Sequence, residues 1–468
     1  MSLESFLADL KQQPLIVSVQ ASPGSPVASP ESLLLLAKAS VQEGARWLRL
    51  EGTKSIQLIS AELSVPVIGL IKKEYEGSGV YITPSRAEVA DLLQTDCPII
   101  ALDGTTRRRP NGESLADLIA QIHDGGRLAL ADCDSIESVR YAMECGADVV
   151  STTLSGYTEG SPPQSGPDFE LIRAAVAMGA PVLGEGRFST PDQVRQAIRI
   201  GASGVVVGGA INDPIKTTRA FSEAVKIYRG RIAAFDIGGT WLRFGEFDES
   251  GYLSHSDRVP TPKTRKERLA WMRQRSEGFD RVGVSCGGTI DPQTRTVWES
   301  KPFIHENEGT DFSELGTDVY ALNDGLATAW AHGCLSEFVG KRIAVLALGT
   351  GVGLGCVDRD RIVVGPRGEY PRMNDVPIAE GKTFEDLVGG MNLNPPLSSE
   401  NVSELNRWAS FCVSQVRTLF LPDEVVVCGG VGLSSSLKVD AILSPLGEEA
   451  GLHGAHAIAR FPHGLERA

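Results

Sequence analysis

The stretch RIAAFDIGGTWLRFGEF occupies residues 231–247 and lies at the midpoint of the 468-residue chain. Two apolar runs flank the turn Gly238-Gly239-Thr240, and this pattern predicts a β-hairpin whose turn has little side-chain bulk. Roughly half of the chain lies on either side, and each half is long enough to bury a hydrophobic core of its own. We therefore predict two domains, residues 1–229 and 230–468.

The composition is that of an ordinary globular protein, with 42% hydrophobic and 22% charged residues. A formal net charge of −14 argues against nucleic acid as a partner, because phosphate backbones select basic surfaces. The chain has no apolar run of about 18 residues and no basic, apolar leader at its start, so we expect neither a membrane span nor a secretory signal. Its eight scattered cysteines include no CxxC pair, which favours the reducing cytoplasm.

Short runs rich in Val, Ile and Leu alternate with helix-like segments through the first half. Continuous apolar strands separated by helices indicate a parallel sheet, and eight such units favour a (β/α)₈ barrel. A doubly wound open sheet is the rival fold, which the count of eight disfavours. The predicted strands lie at residues 15–20, 47–52, 65–72, 99–104, 128–133, 149–154, 181–186 and 204–209.

Polar residues end six of these predicted strands. In a barrel the carboxyl ends of the strands carry the chemistry. A cap of a strand or a helix explains any one of these residues, but six that converge on one rim exceed what stability needs. Glycine-rich segments, GEGRFST and VVGGAI, follow strands seven and eight, where this fold usually binds phosphate. The six rim residues are Gln20, Arg49, Lys72, Asp103, Asp132 and Glu185.

Residues 12–228 resemble the bacterial N-acylglucosamine-6-phosphate 2-epimerases. The segments that carry the resemblance are LIVSVQ, IGLIKKE, IALDGT, TTLSGYT and GEGRFSTPDQ. The resemblance implies a (β/α)₈ barrel, often dimeric and without a redox cofactor, that interconverts the 6-phosphates of N-acetylmannosamine and N-acetylglucosamine. Inverting C2 of such a sugar means removing and replacing its proton, which is acidic only when the ring is open.

The resemblance also implies a role for each barrel residue. Lys72 would carry the proton if burial and the charge of Arg49 lower its pKa towards neutrality. Glu185 would assist ring opening or act as the partner acid. Asp213 stands where the family commonly has a positive group, so we expect weaker phosphate binding. The remaining residues would bind substrate: Asp103 at the rim, Asp132 at the sugar hydroxyls, Gln20 and Tyr157 at the acetamido or sugar end, and Arg187, Gly186, Gly208 and Gly209 at the 6-phosphate.

The opening stretch resembles the first phosphate motif of the sugar-kinase, Hsp70 and actin superfamily, and within it the ROK group (repressor, open reading frame, kinase). Four further segments follow in the family's order. The resemblance implies a two-lobed kinase that uses ATP with Mg²⁺. The segments are VGVSCGGTID (282–291), YALNDGLATAWAHG (320–333), LALGTGVGLGCV (346–357) and EVVVCGGVGLSSS (424–436).

This resemblance assigns the kinase residues as well. Asp324 would accept the proton of the sugar 6-hydroxyl, and Asn323 and Glu385 would hold the sugar. Glycine turns let the backbone approach phosphate, and Asp236 would orient Mg²⁺ through water. The predicted ATP-binding residues are Asp236, Gly238, Gly239, Thr240, Gly349, Thr350, Gly351, Gly429 and Gly430.

The sugar pocket departs from the ROK pattern. In GPRGEYPRMND (365–375), Arg372 stands where the family has a sugar-binding Glu, and Asp375 stands where it has a His. The family's cysteine cluster is missing from the segment that follows, so we predict no zinc site.

The two resemblances predict an enzyme of amino-sugar breakdown that phosphorylates N-acetylmannosamine and then epimerises the product. Its partners would be amino sugars and their 6-phosphates, and we expect a homodimer. Two alternatives stay open: the second half senses a ligand and regulates the barrel without catalysis, or it phosphorylates another hexose such as glucose. A transcription factor would need an N-terminal helix-turn-helix, and a barrel occupies that place.

Overall fold

The computed structural model describes residues 1–22, 24–225, 227–300, 304–316, 318–379, 381–390 and 399–465. The chain divides into two compact units, Met1–Lys226 and Ile227–Arg467. Within the described residues no helix is both long and apolar enough to cross a membrane.

Eight parallel strands close the first unit into a barrel, because β1 is hydrogen-bonded to β2 on one side and to β8 on the other. This closure confirms the predicted barrel and excludes the open doubly wound sheet. The strands are β1 (Leu15–Val19), β2 (Trp47–Glu51), β3 (Val67–Leu70), β4 (Ile99–Asp103), β5 (Leu128–Asp132), β6 (Val149–Ser151), β7 (Val182–Glu185) and β8 (Gly204–Val207).

Helices surround the barrel, and most begin at a side-chain cap, as Ser85 and Thr190 show with their capping boxes. The first helix closes the end at which the strands begin. Its Phe6 is fully buried, with its ring centroid 4.7 Å from that of Trp47. The site must therefore lie at the opposite end. The helices are α1 (Leu3–Gln12), α2 (Pro30–Gln42), α3 (Thr53–Glu62), α4 (Arg86–Leu93), α5 (Leu115–Asp124), α6 (Ile136–Glu144), α7 (Phe169–Ala177), α8 (Pro191–Ile200), α9 (Gly209–Asn212) and α10 (Pro214–Ala224).

The second unit is built on two five-stranded sheets, ordered β11-β10-β9-β12-β15 and β18-β17-β16-β21-β22. The predicted hairpin of residues 231–247 is the antiparallel pair β9–β10. The strands are β9 (Ile232–Ile237), β10 (Trp241–Phe247), β11 (Leu253–Pro260), β12 (Arg281–Cys286), β13 (Thr289–Ile290), β14 (Val297–Glu299), β15 (Val319–Asn323), β16 (Arg342–Leu348), β17 (Val352–Asp358), β18 (Arg361–Ile362), β19 (Pro377–Ala379), β20 (Lys382–Thr383), β21 (Glu424–Cys428) and β22 (Ile442–Leu443).

Glycines bring α12 (Asp324–Gly333) into backbone contact with a helix and a strand of this unit. A Cβ at Gly454 would lie 2.8 Å from the carbonyl carbon of Ala327, and a Cβ at Gly355 would lie 2.1 Å from the carbonyl oxygen of Gly325. This packing fixes the start of α12, where Asp324 stands. The helices are α11 (Arg265–Ser276), α12 (Asp324–Gly333), α13 (Phe384–Val388), α14 (Ser399–Phe420), α15 (Gly429–Gly432) and α16 (Ala450–Arg460).

All eight cysteines are free thiols, and six of them are buried. Burial raises the pKa of seven thiols above the ordinary value, which disfavours the reactive thiolate. These seven are Cys97, Cys133, Cys286, Cys334, Cys356, Cys412 and Cys428.

Candidate active sites

A buried arginine organises the carboxyl-terminal mouth of the barrel. Arg49, 1% exposed, donates to both carboxylate oxygens of Asp132, at 3.0 and 2.6 Å, and to Glu185 Oε2 at 2.7 Å. Burial alone would lower the pKa of Arg49, but the two carboxylates raise it above its usual value. The guanidinium therefore stays charged and holds both carboxylates in fixed positions.

Thr153, which is not among the residues predicted from the sequence, belongs to the same cluster. Its Oγ1 lies 2.6 Å from Asp132 Oδ1 and 3.0 Å from Glu185 Oε2. Burial raises the pKa of Glu185; Arg49 opposes this shift and the Asp132 charge adds to it. Glu185 therefore holds a proton more readily than an ordinary glutamate. The signal that identifies Thr153 is its place just beyond the end of β6, at the same rim as the predicted residues.

Lys72 follows β3 at the barrel mouth. Its Nζ donates to Gln20 Oε1 at 2.7 Å and lies 3.9 Å from the carboxylate of Glu51. Desolvation lowers the pKa of Lys72; Glu51 opposes this shift and Arg49 adds to it. The amine is therefore easier to deprotonate than that of an isolated lysine, as a proton acceptor requires.

Asp103 is fully buried and holds loops together. One oxygen accepts from the backbone N–H and the hydroxyl of Thr105, at 2.9 and 2.6 Å, and the other is 2.5 Å from Arg107 Nη2. Arg107 also donates to the carbonyl of Gly79 at 2.7 Å, which fixes the loop after β3. These partners occupy both carboxylate oxygens of Asp103. The substrate contact expected for this residue stays a prediction.

The predicted phosphate end centres on Arg187. This residue has a φ of +57°, and Gly186 before it has a φ of +101°. Arg187 donates to the carbonyls of Gly166 and Ser155, at 2.8 and 2.7 Å, and lies 4.8 Å from the ring centroid of Tyr157. Its buried Nη2 has no hydrogen-bond partner among the described residues. That unpaired N–H group is available to an anionic ligand.

Gly208 and Gly209 lie at the start of the short helix α9. The structure gives the neighbouring Asp213 a local role: its side chain accepts from Ser22 Oγ at 2.7 Å and from the backbone N–H of Lys216 at 3.1 Å, which caps α10. The weaker phosphate binding expected from Asp213 stays a prediction.

We expect the replacement Arg49→Met to destabilise the barrel by about 3 kcal/mol at pH 8, because it leaves the carboxylates of Asp132 and Glu185 without their cation. The loss should shrink at pH 5, because the pKa of Glu185 is raised and its protonation relieves part of the penalty. Chemical denaturation at both pH values measures it. Arg46→Met, at an exposed arginine before the same strand, is the control. Equal losses for the two variants would contradict the role of Arg49.

The second unit contains a cleft lined by glycine turns from both sheets and by two acids, the buried Asp236 and the partly buried Asp324. Of the predicted ATP-binding residues, Thr240 and Gly430 are not among the described residues that line it. The others line it together: Asp236, Gly238, Gly239, Gly349, Thr350, Gly351 and Gly429.

Asp324 is a carboxylate of the cleft with a strongly raised pKa. Burial raises its pKa to about 6, with the Asp236 charge adding to the shift and a bond from the Gly325 N–H opposing it. Burial also raises the pKa of Asp236, which Arg243 opposes from 3.0 Å. Asn323 Nδ2 donates to Asp324 at 3.0 Å and to the Gly288 carbonyl at 2.9 Å. Asn323 therefore orients the acid.

Glu385 lies against the glycine turn between β16 and β17, here called the second glycine turn (residues 349–351). It accepts from the backbone N–H of Val352 at 3.2 Å and from Asn374 Nδ2 at 3.4 Å. A Cβ at Gly351 would lie 2.8 Å from Glu385 Oε2, so the carboxylate approaches the backbone of this turn closely. Glu385 and Asn374 both line the cleft.

The two residues that depart from the ROK pattern, Arg372 and Asp375, do not contribute to the described lining of the cleft. Tyr370 and Asn374 from the same loop do line it. Comparison with the family motif did not identify Tyr370 and Asn374, because they stand at motif positions to which no side-chain role is assigned. Among the described residues no group of three or more His, Cys, Asp or Glu side chains could hold a metal ion. The expected absence of zinc stays a prediction.

A barrel with a lysine and an arginine-held pair of carboxylates at its mouth, followed by a two-sheet unit with a glycine-lined cleft, is the arrangement expected of an isomerase of sugar phosphates joined to a sugar kinase. Residues 33–227 match the family described as "Putative N-acetylmannosamine-6-phosphate epimerase", and residues 232–385 match the ROK family. The chain belongs to the family of bifunctional NanE/NanK enzymes.

Relatives of the whole chain support this membership. The bifunctional enzyme NanE/NanK of Brucella suis is 30% identical, with 95% of this chain and 94% of the relative covered. The enzyme of the same name from Brucella melitensis is also 30% identical, with 95% and 96% covered. The solved N-acetylmannosamine-6-phosphate 2-epimerase from Clostridium perfringens is 43% identical, covers 47% of this chain and 96% of its own, and has a TM-score of 0.46.

Proposed function

We propose that this chain catalyses two consecutive steps: the second unit phosphorylates N-acetylmannosamine with ATP, and the first unit epimerises N-acetylmannosamine 6-phosphate at C2. The observation that carries the proposal is that one chain holds both a cluster suited to proton transfer at a barrel mouth and a carboxylate of raised pKa, Asp324, in a glycine-lined cleft. The family membership supports the same pair of reactions.

In the barrel, proton transfer at C2 rests on Lys72 and Glu185. Once the sugar ring is open, the C1 aldehyde makes the C2 proton acidic, and Lys72 Nζ accepts it. Glu185, whose pKa burial raises, supplies a proton to the C1 oxygen. A proton returned to the other face of C2, while the C1 hydroxyl gives its proton back to Glu185, restores the aldehyde and gives the epimer. Arg49 keeps Glu185 and Asp132 in place, and the unpaired N–H of Arg187 binds the 6-phosphate.

In the cleft, Asp324 accepts the proton of the sugar 6-hydroxyl while the glycine turns contact the phosphates of ATP. The residues fit ATP with Mg²⁺: a Cβ at Gly349 would meet only open space, and Asp236 provides a buried carboxylate. Bound Mg²⁺ would neutralise phosphate charge. Asn323 positions Asp324. Glu385 positions the second glycine turn.

The pKa of about 6 for Asp324 gives a pH dependence. A general base acts in its ionised form, so kinase kcat/KM for the sugar should fall as the pH drops through about 6, whereas an ordinary Asp would keep activity to about pH 4. ADP release between pH 4.5 and 8 measures this. Epimerase activity recorded on the same samples controls for unfolding. A kinase rate that stays flat down to pH 5 would contradict the role of Asp324.

Further expectations belong to the same proposal. The high negative charge supports small sugars rather than nucleic acid as partners. We propose a cytoplasmic homodimer whose barrel needs no redox cofactor. Light scattering on the purified chain measures the number of subunits.

The test of the function measures ADP release with ATP, Mg²⁺ and N-acetylmannosamine, with glucose and N-acetylglucosamine as controls. NMR in deuterated water follows the sugar products. ADP that depends on N-acetylmannosamine, and deuterium at C2 of N-acetylglucosamine 6-phosphate, establish both activities. ADP release with glucose alone favours the other hexose. C2 exchange on supplied N-acetylmannosamine 6-phosphate without any ADP favours the sensor.

A further inference from the structure

A loop of the second unit, here called the cleft loop (residues 365–375), packs on the β13–β14 hairpin. Trp298 Nε1 donates to the carbonyl of Arg367 at 2.8 Å, and the Arg367 guanidinium lies 4.3 Å from the Trp298 ring centroid. A Cβ at Gly368 would lie 1.8 Å from the carbonyl oxygen of Ile290, and Gly368 has a φ of +84°. Glycine is therefore required where the two backbones meet.

Arg372 makes the strongest link between the cleft loop and the hairpin. Its Nη1 donates to Glu299 Oε1 at 2.9 Å, and its Nη2 donates to the other oxygen of Glu299 and to Thr289 Oγ1, the latter at 3.2 Å. This two-point pairing is the specific geometry of an arginine with a carboxylate. The guanidinium also lies 5.6 Å from the ring centroid of Tyr370.

The link places two uncharged polar side chains in the cleft. Tyr370 lines the cleft beside Asp324, and burial raises the pKa of its phenol, with the Asp324 charge adding to the shift. The phenol therefore remains protonated. Asn374 is 6% exposed and donates to Glu385 at 3.4 Å. Each side chain combines hydrogen-bond donor and acceptor capacity without a net charge.

We propose that Tyr370 and Asn374 form the sugar-recognition edge of the cleft, and that Arg372 and Glu299 are a positioning pair that holds this edge in place. The inference rests on the proposed kinase function and deepens it. A phenol and an amide match the hydroxyl and acetamido groups of a neutral sugar. Asp324 and Glu385 in the same cleft disfavour anionic sugars, including the 6-phosphate product.

The test measures binding of N-acetylmannosamine to the full chain by calorimetry in the presence of ADP, together with KM values for sugar and ATP. We expect Tyr370→Phe and Asn374→Ala each to weaken sugar binding about five- to tenfold, with KM for ATP changed less than twofold. Asp375→Asn is the matched control, since it changes the neighbouring motif departure, and it should leave sugar binding unchanged. Wild-type sugar affinity in both Tyr370→Phe and Asn374→Ala, or a loss confined to Asp375→Asn, overturns the inference.

The sugar KM of variants at Glu299 and Arg372 tests the positioning pair separately. Glu299→Gln should raise the sugar KM about threefold with little change in kcat, and the exchange Arg372→Glu with Glu299→Arg should restore most of the loss. An unchanged KM in Glu299→Gln overturns this part. Tyr370→Phe keeps the ring, so it tests recognition even if a charge variant folds poorly. If the wild type binds the sugar yet releases no ADP, the kinase function fails, while the binding data still decide the recognition edge.

Discussion

Replacing Asp324 with Asn should lower sugar-dependent ADP release about 10²–10⁴-fold, because the amide cannot accept the proton of the 6-hydroxyl. The shape of the side chain is kept, and the bonds from Gly325 and Asn323 reach the same site. The coupled assay for ADP with saturating ATP and N-acetylmannosamine measures the effect. Deuterium exchange at C2 of N-acetylmannosamine 6-phosphate should stay at the wild-type rate.

The matched control for this variant is Asp257→Asn, a partly exposed acid of the same unit that pairs with Arg275. We expect wild-type ADP release from it. If Asp324→Asn also keeps the wild-type rate, Asp324 is not the base. If the wild type itself shows no sugar-dependent ADP, the sensor hypothesis gains support.

Replacing Lys72 with Met should reduce C2 exchange by about 10²–10⁴-fold, since the barrel loses the group that accepts the C2 proton. Methionine keeps most of the length of the side chain and removes the amine, its bond to Gln20 and its ion pair with Glu51. NMR in deuterated water on supplied N-acetylmannosamine 6-phosphate measures the rate. ADP release by the second unit should be unaffected.

The chain offers an unusually close control for this variant. Lys73 is the next residue, yet its Nζ pairs with Glu88, 2.9 Å away, and not with the Arg49 cluster. Glu88 keeps its bonds from Tyr75 and Ser85 when this lysine is lost. Lys73→Met should therefore exchange C2 at close to the wild-type rate. Equal losses in both variants would indicate damage to the loop after β3, not loss of a proton acceptor.

The architecture could be predicted because it depends on short-range patterns. Apolar strands alternating with helices set the barrel, and the hairpin of residues 231–247 follows from two apolar runs around a glycine turn. The convergence of Arg49, Asp132 and Glu185 follows from the same rule, since carboxyl ends of parallel strands share one rim.

The roles of individual side chains were harder to predict, because they depend on partners far away in sequence. Asp103 belongs to the rim by position, yet its oxygens are taken by Thr105 and Arg107. Arg372 stands at a sugar-binding motif position, yet Glu299 holds it, 73 residues earlier in the chain. Alignment with a motif shows which residues share a position. It cannot show which partner the side chain contacts when the residue type differs from the family's.

The labelling rate of the buried thiols can measure unfolding of each unit. A thiol-specific reagent should react slowly with Cys97 and Cys133 in the native barrel, and equally slowly with Cys412 and Cys428 in the second unit, because burial raises the pKa of each and shields its sulfur. Each thiol becomes reactive only when its own unit opens. Peptide mapping after timed labelling would thus give the opening rate of each half separately, in one tube and without an added probe.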